Sequence, residues 1–403
     1  VQTCALPISA WESVARVRVT QGCRISAFYG NYYIRGADLL ALPNCNSDWT
    51  VCLEITHDAQ SLQSSTICVQ SALLFTTSRG ERRIRVNTVA LPVTDSEQDI
   101  FKAVNITALS NLMMKSATQT ALTSGLASGR QKLTRQCTDI VRGWRQANSA
   151  YGGPHQQQQV SGDLPPNMSL LPLYVMAMIK SPALRGGNTM PLDQRAFIIG
   201  QLMNMPLEQS MSFVYPKMYE ISMLCNDSTS GTVVEQAGET TRAITANGKT
   251  QGYVVMPPVV GLSAAHLTSN GAYLMDCGLT MFMWFGRAIN PTVVQHLFGI
   301  PGLEGIDTSQ LRLNPGGNDL CDRVNRMVAA LRSRREGHTP LVVLQEGSPM
   351  EPMFFSYLVE DRANFAEGAV TYSEFLQTVQ SGNGAMGGGG PGNMGGIPPS
   401  QRR

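Results

Sequence analysis

The sequence predicts a multidomain α+β chain: an antiparallel β-sandwich, then an all-α helical domain, then a compact α/β terminal domain and a disordered glycine-rich tail. Three observations predict this order. Residues 10–93 carry short runs of alternating apolar and polar positions, punctuated by Gly22, Gly30, Pro43-Asn44 and Gly80. From Thr94 the apolar period changes to three and four. Beyond Tyr253, strand-like and helix-like runs alternate, the pattern of an α/β unit. The boundaries read as a leader at 1–9, sandwich at 10–93, helical domain at 94–235, linker at 236–252, terminal domain at 253–380 and tail at 381–403.

Length and composition narrow the classes. A chain of 403 residues suggests two or three domains. An apolar content of 43% and a mean hydropathy near zero are those of an ordinary globular protein. A net charge of +2 gives no global field that would draw nucleic acid. No window approaches the roughly eighteen uninterrupted apolar residues of a membrane span. The nine cysteines form no Cys-x-x-Cys and stand near no histidine at metal-ligand spacing. They read as free thiols of a reducing compartment. Val1–Ser9 lacks the features of a signal peptide and blends poorly with the strand-like run after it. It reads as a non-native leader, with the natural chain expected to begin upstream of Ala10.

In the sandwich, Trp11–Thr20, Arg24–Phe28 and Val51–Ile55 are expected strands. The central feature is a hairpin, Val69–Phe75 and Glu81–Leu91, turning at Ser78-Arg79-Gly80. Ile67, Val69, Leu73 and Phe75 are expected to share one face with Ile84 and Val86. Gln70 and Thr76 then share the other with Arg83 and Arg85. Leu74 breaks the alternation, an apolar residue on the polar face. Within Ala15–Val19, Val17 and Val19 face inward, so Arg16 and Arg18 stand together outside.

Thr94-Asp-Ser-Glu97 has the spacing of a capping box. Phe101, Val104, Ala108, Leu109, Leu112 and Met113 then trace one helix, and Leu122, Leu126, Leu133, Cys137, Ile140, Val141 and Trp144 a second. Asn148–Asn167, with its four consecutive glutamines, reads as a low-complexity loop. Helices are expected at Leu170–Lys180, Asp193–Met203 and Leu207–Leu224, and Cys225–Gly252 as a polar linker. In the terminal domain, Ala272–Met275 and Thr280–Phe285 are strands around an Asp276-Cys-Gly278 turn. Pro291–Phe298 is a helix opened by proline, Leu320–Leu331 a longer one, Pro340–Leu344 a buried strand and Thr371–Val379 a last helix. Ser381–Arg403 carries no core-forming residues and is expected to be disordered.

Several motifs recur in a telling order: Arg16-Val-Arg18, Arg35–Pro43, Arg82-Arg-Ile-Arg-Val86, Leu171-Pro-Leu173 with Lys180-Ser-Pro182, and Leu358-Val-Glu-Asp-Arg362 with Tyr372-Ser-Glu-Phe-Leu376. Together they resemble the C-terminal half of the Sec twenty-four family, the cargo-selecting subunit of the COPII vesicle coat. The resemblance covers roughly Trp11–Gln380. It implies that the terminal domain is gelsolin-like and that the sandwich is incomplete. It places a zinc finger and a trunk domain upstream, so zinc is a cofactor of that part and none is expected here. It implies as partners a sister coat subunit bound mainly through the trunk, cytoplasmic tails of cargo and SNARE proteins, the endoplasmic reticulum membrane surface and, indirectly, the coat's small GTPase. The expected location is cytoplasmic and peripheral, at exit sites and on vesicles.

By the resemblance, Arg16 and Arg18 match arginines of a site that reads acidic export signals, and Leu74 matches its apolar wall. The residues alone allow the same chemistry, because guanidiniums bind carboxylates bidentately. They equally allow a plain solvated face. Met353 matches the position of an aromatic residue in a second family site, where the alternative is core packing in a helix. Arg82, Arg83 and Arg85 form a basic cluster that is a candidate membrane-facing surface, against solvated ion pairs. Glu360 and Asp361 read as structural ion-pair residues. The five histidines have no nucleophile or acid partner pattern, and Gly387–Gly390 lacks the context of a phosphate loop. An enzyme is therefore not expected. The alternatives are the coat's GTPase-activating sister subunit, or a gelsolin-type actin or phosphoinositide binder.

Overall fold

The computed structural model describes residues 10–34, 39–45, 49–58, 62–149, 164–187, 190–246, 249–333, 335, 338–362 and 370–382. The leader, most of the glutamine-bearing loop and nearly all of the glycine-rich tail lie outside the described residues, as does the start of the Arg35–Pro43 motif.

The first region is built from β1 (Ala10–Val19), β2 (Cys23–Tyr29), β3 (Tyr33–Ile34), β4 (Leu39–Cys45), β5 (Cys52–His57), β6 (Thr66–Thr76) and β7 (Arg82–Pro92). Five of these form an antiparallel sheet in the order β3-β4-β1-β6-β7, and β2 pairs with β5 in a second, smaller sheet. The inner face buries Val17, Leu40, Leu42 and Phe75. Val89 and Leu91, on β7, remain 55% and 45% exposed, so the second layer covers only part of the first. One residue is inserted in β1 between Trp11 and Val14, where Glu12 adopts φ +51°.

The hairpin register differs from the expected one. Leu74 lies opposite Ile84 and Ala72 opposite Val86, whereas Leu73 faces Arg85 and Phe75 faces Arg83. The cause is the link. Thr77 N–H donates to the Glu81 carbonyl, so three residues, Ser78 to Gly80, close the turn, with Gly80 at φ +80°. An odd link pairs odd positions with odd, and directly opposed residues share a face. Ile84 and Val86 are therefore on the side of Leu74, and Arg83 and Arg85 on the side of Phe75.

The second region holds α1 (Glu97–Ala103), α2 (Ile106–Ser124), α3 (Leu126–Ser149), α4 (Leu171–Lys180), α5 (Leu192–Asn204) and α6 (Leu207–Val214). The helix expected through residue 113 is broken at Val104, where Asn105 caps α2 by accepting from Ala108 N–H. The cap of α1 is Ser96, which accepts from Asp99 N–H; the Thr94 hydroxyl instead accepts from Ser96 N–H. The central helix, α2, buries Met113, Met114 and Ala117 together with Ser110, Asn111, Lys115 and Thr118. Gly129 lets α3 come close, since a Cβ there would sit 2.8 Å from the Ala117 carbonyl oxygen.

The third region begins earlier than the sequence suggested. The expected helix 207–224 ends at Val214, and β8 (Lys217–Glu220) enters a five-stranded sheet. The expected linker also contains structure: β9 (Val233–Val234), β10 (Thr241–Ala246) and β11 (Lys249–Val255) form a three-stranded antiparallel sheet. The larger sheet includes β12 (Val259–Val260), β13 (Ala272–Asp276), β14 (Met281–Phe285) and β15 (Leu341–Gln345) in the order β12-β8-β13-β14-β15, with β14 and β15 parallel. Met281, Met283 and Phe285 point to one core with α7 (Pro291–Phe298) and α8 (Asp319–Arg332). Phe282 and Trp284 point to another, shared with the helical region and with α9 (Glu351–Phe355). The period of two explains how an uninterrupted apolar strand serves two cores. The last helix, α10 (Tyr372–Ser381), carries a capping box at Thr371 and Glu374 and packs back on α3 and α4. Among the described residues no helix is long and apolar enough to cross a membrane.

Candidate functional site

The outer face of the five-stranded sheet is a grid of side chains. One row crosses the sheet as Tyr33, Ala41, Val14, Leu74 and Ile84. The next runs Leu39, Arg16, Ala72 and Val86, and a third Arg18, Gln70 and Thr88. Arg16 and Arg18 are both exposed, while Val17 between them is 8% exposed and faces the core. The expected alternation of β1 is present. Leu74 is half-buried on the same face as both arginines, one row from Arg16.

Leu74 has apolar company that the alternation pattern alone places elsewhere. Ile84 and Val86 are 68% and 53% exposed on this face, and Tyr33, at the opposite end of the row, is 70% exposed. The missed signal was the length of the hairpin link, which sets the face of every residue in β7.

Arg82, Arg83 and Arg85 do not form one surface. Arg82 shares the outer face, where it donates to the Glu12 carbonyl and the Thr76 hydroxyl at 3.0 and 2.7 Å. Arg83 and Arg85 lie on the opposite face, and Arg83 pairs with Glu81.

Met353 lies on the one-turn helix α9 and is 38% exposed, as are its neighbours Met350 (50%) and Phe355 (39%). The core position is Phe354, fully buried and stacked on Trp284 at 6.1 Å between centroids. Met353 is thus at the surface, and the packing role falls to the residue beside it. Glu360 accepts from the Tyr215 hydroxyl at 2.6 Å and from Leu262 N–H at 2.8 Å. Asp361 accepts from the Ser263 hydroxyl and Ala264 N–H, and Arg362 pairs with Glu374. These three polar residues fasten neighbouring segments together. Burial and the Glu360 carboxylate both push the Tyr215 phenol upward.

Among the described residues no group of three or more His, Cys, Asp or Glu is placed to hold a metal ion, and the eight described cysteines are free.

Three family models match in chain order. They are the Sec23/Sec24 beta-sandwich domain over residues 10–94, the Sec23/Sec24 helical domain over 105–212 and the gelsolin repeat over 254–316. Sandwich, helical domain and gelsolin-like domain together define a chain of the Sec23/Sec24 class. Human protein transport protein Sec24B is 32% identical over 371 residues, covering 92% of this chain and 27% of its own length. Mouse Sec24A is 30% identical, with 92% of this chain and 32% of its own length covered. SEC24 of Coccidioides immitis is 34% identical, with 88% and 36% covered. The crystal structure of the human COPII-coat protein Sec24c superposes with a TM-score of 0.77 at 26% identity, covering 93% of this chain and 46% of that one. The chain belongs to the Sec24 family. It spans 27–36% of the length of these three curated relatives.

Proposed function

We propose that this chain supplies the sandwich, helical and gelsolin-like parts of a COPII coat subunit that selects cargo. It binds export signals on the cytoplasmic tails of membrane proteins, SNARE proteins among them, during budding from the endoplasmic reticulum to the Golgi. The observation that supports this reading best is the exposure of Arg16 and Arg18 on one face with Leu74 in the adjoining row. Two cationic forks two residues apart on a strand stand roughly 7 Å apart, a spacing suited to two carboxylates on an extended peptide. The apolar row offers an anchor for an aliphatic side chain. Binding of this kind makes and breaks no covalent bond. The subunit acts at the cytoplasmic surface of the membrane beside its sister coat subunit, with the exposed Met350, Met353 and Phe355 as a second apolar contact area.

Titration with a fluorescent peptide bearing two carboxylates and one leucine tests this. The double variant Arg16→Ala/Arg18→Ala weakens binding by about 1.5–3 kcal/mol, the range for hydrogen bonds to charged groups. Equal binding by the variant and the unchanged chain refutes the reading.

A further inference from the structure

In the helical domain a groove of about 610 Å³ opens where the end of α2 and the start of α3 meet α5. Its lining is aliphatic: Leu122 and Leu126 on one side, Met190, Leu192 and Ile199 on the other. Leu192, Arg195 and Ile199 follow one another at three and four, which sets them on one stripe of α5. Leu192 and Leu122 are 80% and 62% exposed, and both form the rim. Among the described residues that line the groove, Arg195 alone is charged.

Arg195 is 8% exposed, and its hydrogen bonds use only one end of the guanidinium. Nη1 donates to the Ala183 and Arg185 carbonyl oxygens at 3.4 and 2.9 Å. Nε and Nη2 make no hydrogen bond to the described residues and keep contact with solvent. No described carboxylate pairs with this cation, although a charge so deeply buried ordinarily has an anionic partner. The unused Nε and Nη2 edge is one that holds a carboxylate through two parallel bonds. Positive charge is also in excess nearby. Burial, and then the Arg195 charge, push the Arg130 guanidinium down. At Arg185 burial again leads and Arg195 adds to it, against Tyr357. The α5 helix starts at Leu192 with no side-chain cap on its first turn, whose N–H groups favour an anion. Asp193 shares that turn but lies about 100° round the helix from Leu192, and it does not line the groove.

We propose that this groove binds an amphipathic helix of a partner protein through an acid set within the aliphatic stripe of that helix. The carboxylate meets Nε and Nη2 of Arg195. Leucine-sized side chains one turn to either side seat against Leu192 with Leu122 and against Ile199 with Leu126. Along α5, Arg195 stands about 4.5 Å from Leu192 and about 6 Å from Ile199. A partner helix that matches these steps carries aliphatic, acidic and aliphatic residues at three and four. A single alkyl chain would leave the exposed rim of Leu122 and Leu192 uncovered, which favours the wider helix. The site is separate from the strand face and does not depend on it.

The experiment titrates the whole chain with two fluorescent, alanine-based helical peptides. One has leucine at i and i+7 and glutamate at i+3 and i+4, so that either chain direction presents a carboxylate. The other has glutamine in place of both glutamates. The glutamate peptide is expected to bind about tenfold tighter. Leu192→Asp and Leu122→Asp, at exposed positions, weaken it about tenfold while the urea midpoint stays unchanged. Arg195→Lys keeps the charge but not the fork, and brings the two peptides within about threefold of each other. Arg16→Ala/Arg18→Ala leaves both affinities within about twofold of the unchanged chain. Equal binding of the two peptides by the unchanged chain overturns the proposal. So does loss of binding in Arg16→Ala/Arg18→Ala, which would put the peptide on the strand face. Binding of neither peptide overturns it as well. Vesicles of phosphatidylserine and phosphatidylcholine, and sedimentation of the chain alone, then show whether a lipid surface or a second copy covers the groove.

Discussion

The Lys180 ammonium donates to the Val359 carbonyl oxygen at 2.7 Å, with the two residues 2% and 4% exposed. The same nitrogen donates to the Asp361 carbonyl at 2.7 Å. At the other end of the helical domain, Lys115 is fully buried and donates to the carbonyl and hydroxyl of Thr50 at 3.1 and 2.7 Å. Each joint of the helical domain, towards the sandwich and towards the gelsolin-like domain, is closed by a lysine inserted among oxygen acceptors of the neighbour. Lys180→Ala leaves two acceptors without this donor and a cavity the length of the side chain. It is expected to cost about 2–4 kcal/mol, read as a lower urea midpoint.

Both lysines also set a pH dependence. Burial pushes each ammonium down to about 8, opposed at Lys180 by Asp361 and Glu374, with Arg362 adding to the fall, and opposed at Lys115 by Cys52. An unfolded lysine holds its proton to about 10.4. Between pH 8 and 10.4 the unfolded chain therefore binds more protons than the folded one. The lysine contribution to stability rises with pH through that window, by at most about 1.4 kcal/mol per pH unit for each lysine. Subtracting the stability profile of Lys180→Met from that of the unchanged chain should expose this slope. A difference that stays flat from pH 8 to 10 contradicts it.

Asp276 and Arg335 form an ion pair at 2.7 Å with side chains 2% and 7% exposed. Replacing one partner strands a buried charge. Arg335→Leu alone is expected to cost about 3–5 kcal/mol. The double variant Asp276→Leu/Arg335→Leu should recover much of it, because neither member of the pair is then left as an unpaired buried charge. Denaturant melts of the two variants measure the difference.

In α9, neighbouring residues have opposite roles. Phe354→Ala removes a ring stacked on Trp284 and is expected to cost about 3–5 kcal/mol. Met353→Ala removes an exposed side chain and should shift stability by less than about 0.5 kcal/mol. Equal losses would place Met353 in the core after all.

Much of the fold was legible because its helices keep their period. For α4, α5, α7, α8 and α10 the expected and observed bounds agree to within a residue or two. The short strands after α6 were not legible. Pro216 interrupts the apolar helical run just before Lys217–Glu220, a stop signal that the apolar spacing on either side masks, and Thr241–Val255 is rich in Thr and Gly with little alternation. The first becomes a strand through pairing with the distant β13, and the second folds back on itself as the hairpin of β10 and β11, with the short β9 alongside. The outward pair Arg16 and Arg18 was readable from alternation within one strand. The aliphatic neighbours of Leu74 were not, because their face depends on how two strands are joined.

That joint at Ser78–Gly80 makes chain length a determinant of surface chemistry. A single residue inserted there would let β7 pair with a shift of one, turning Ile84 and Val86 under and bringing Arg83 and Arg85 up beside Arg16 and Arg18. The patch would lose the aliphatic side chains of β7 and gain two cations with no change to any side chain. Among homologues, a length polymorphism at this tip would accordingly mark a change of ligand more reliably than would a substitution within the strands.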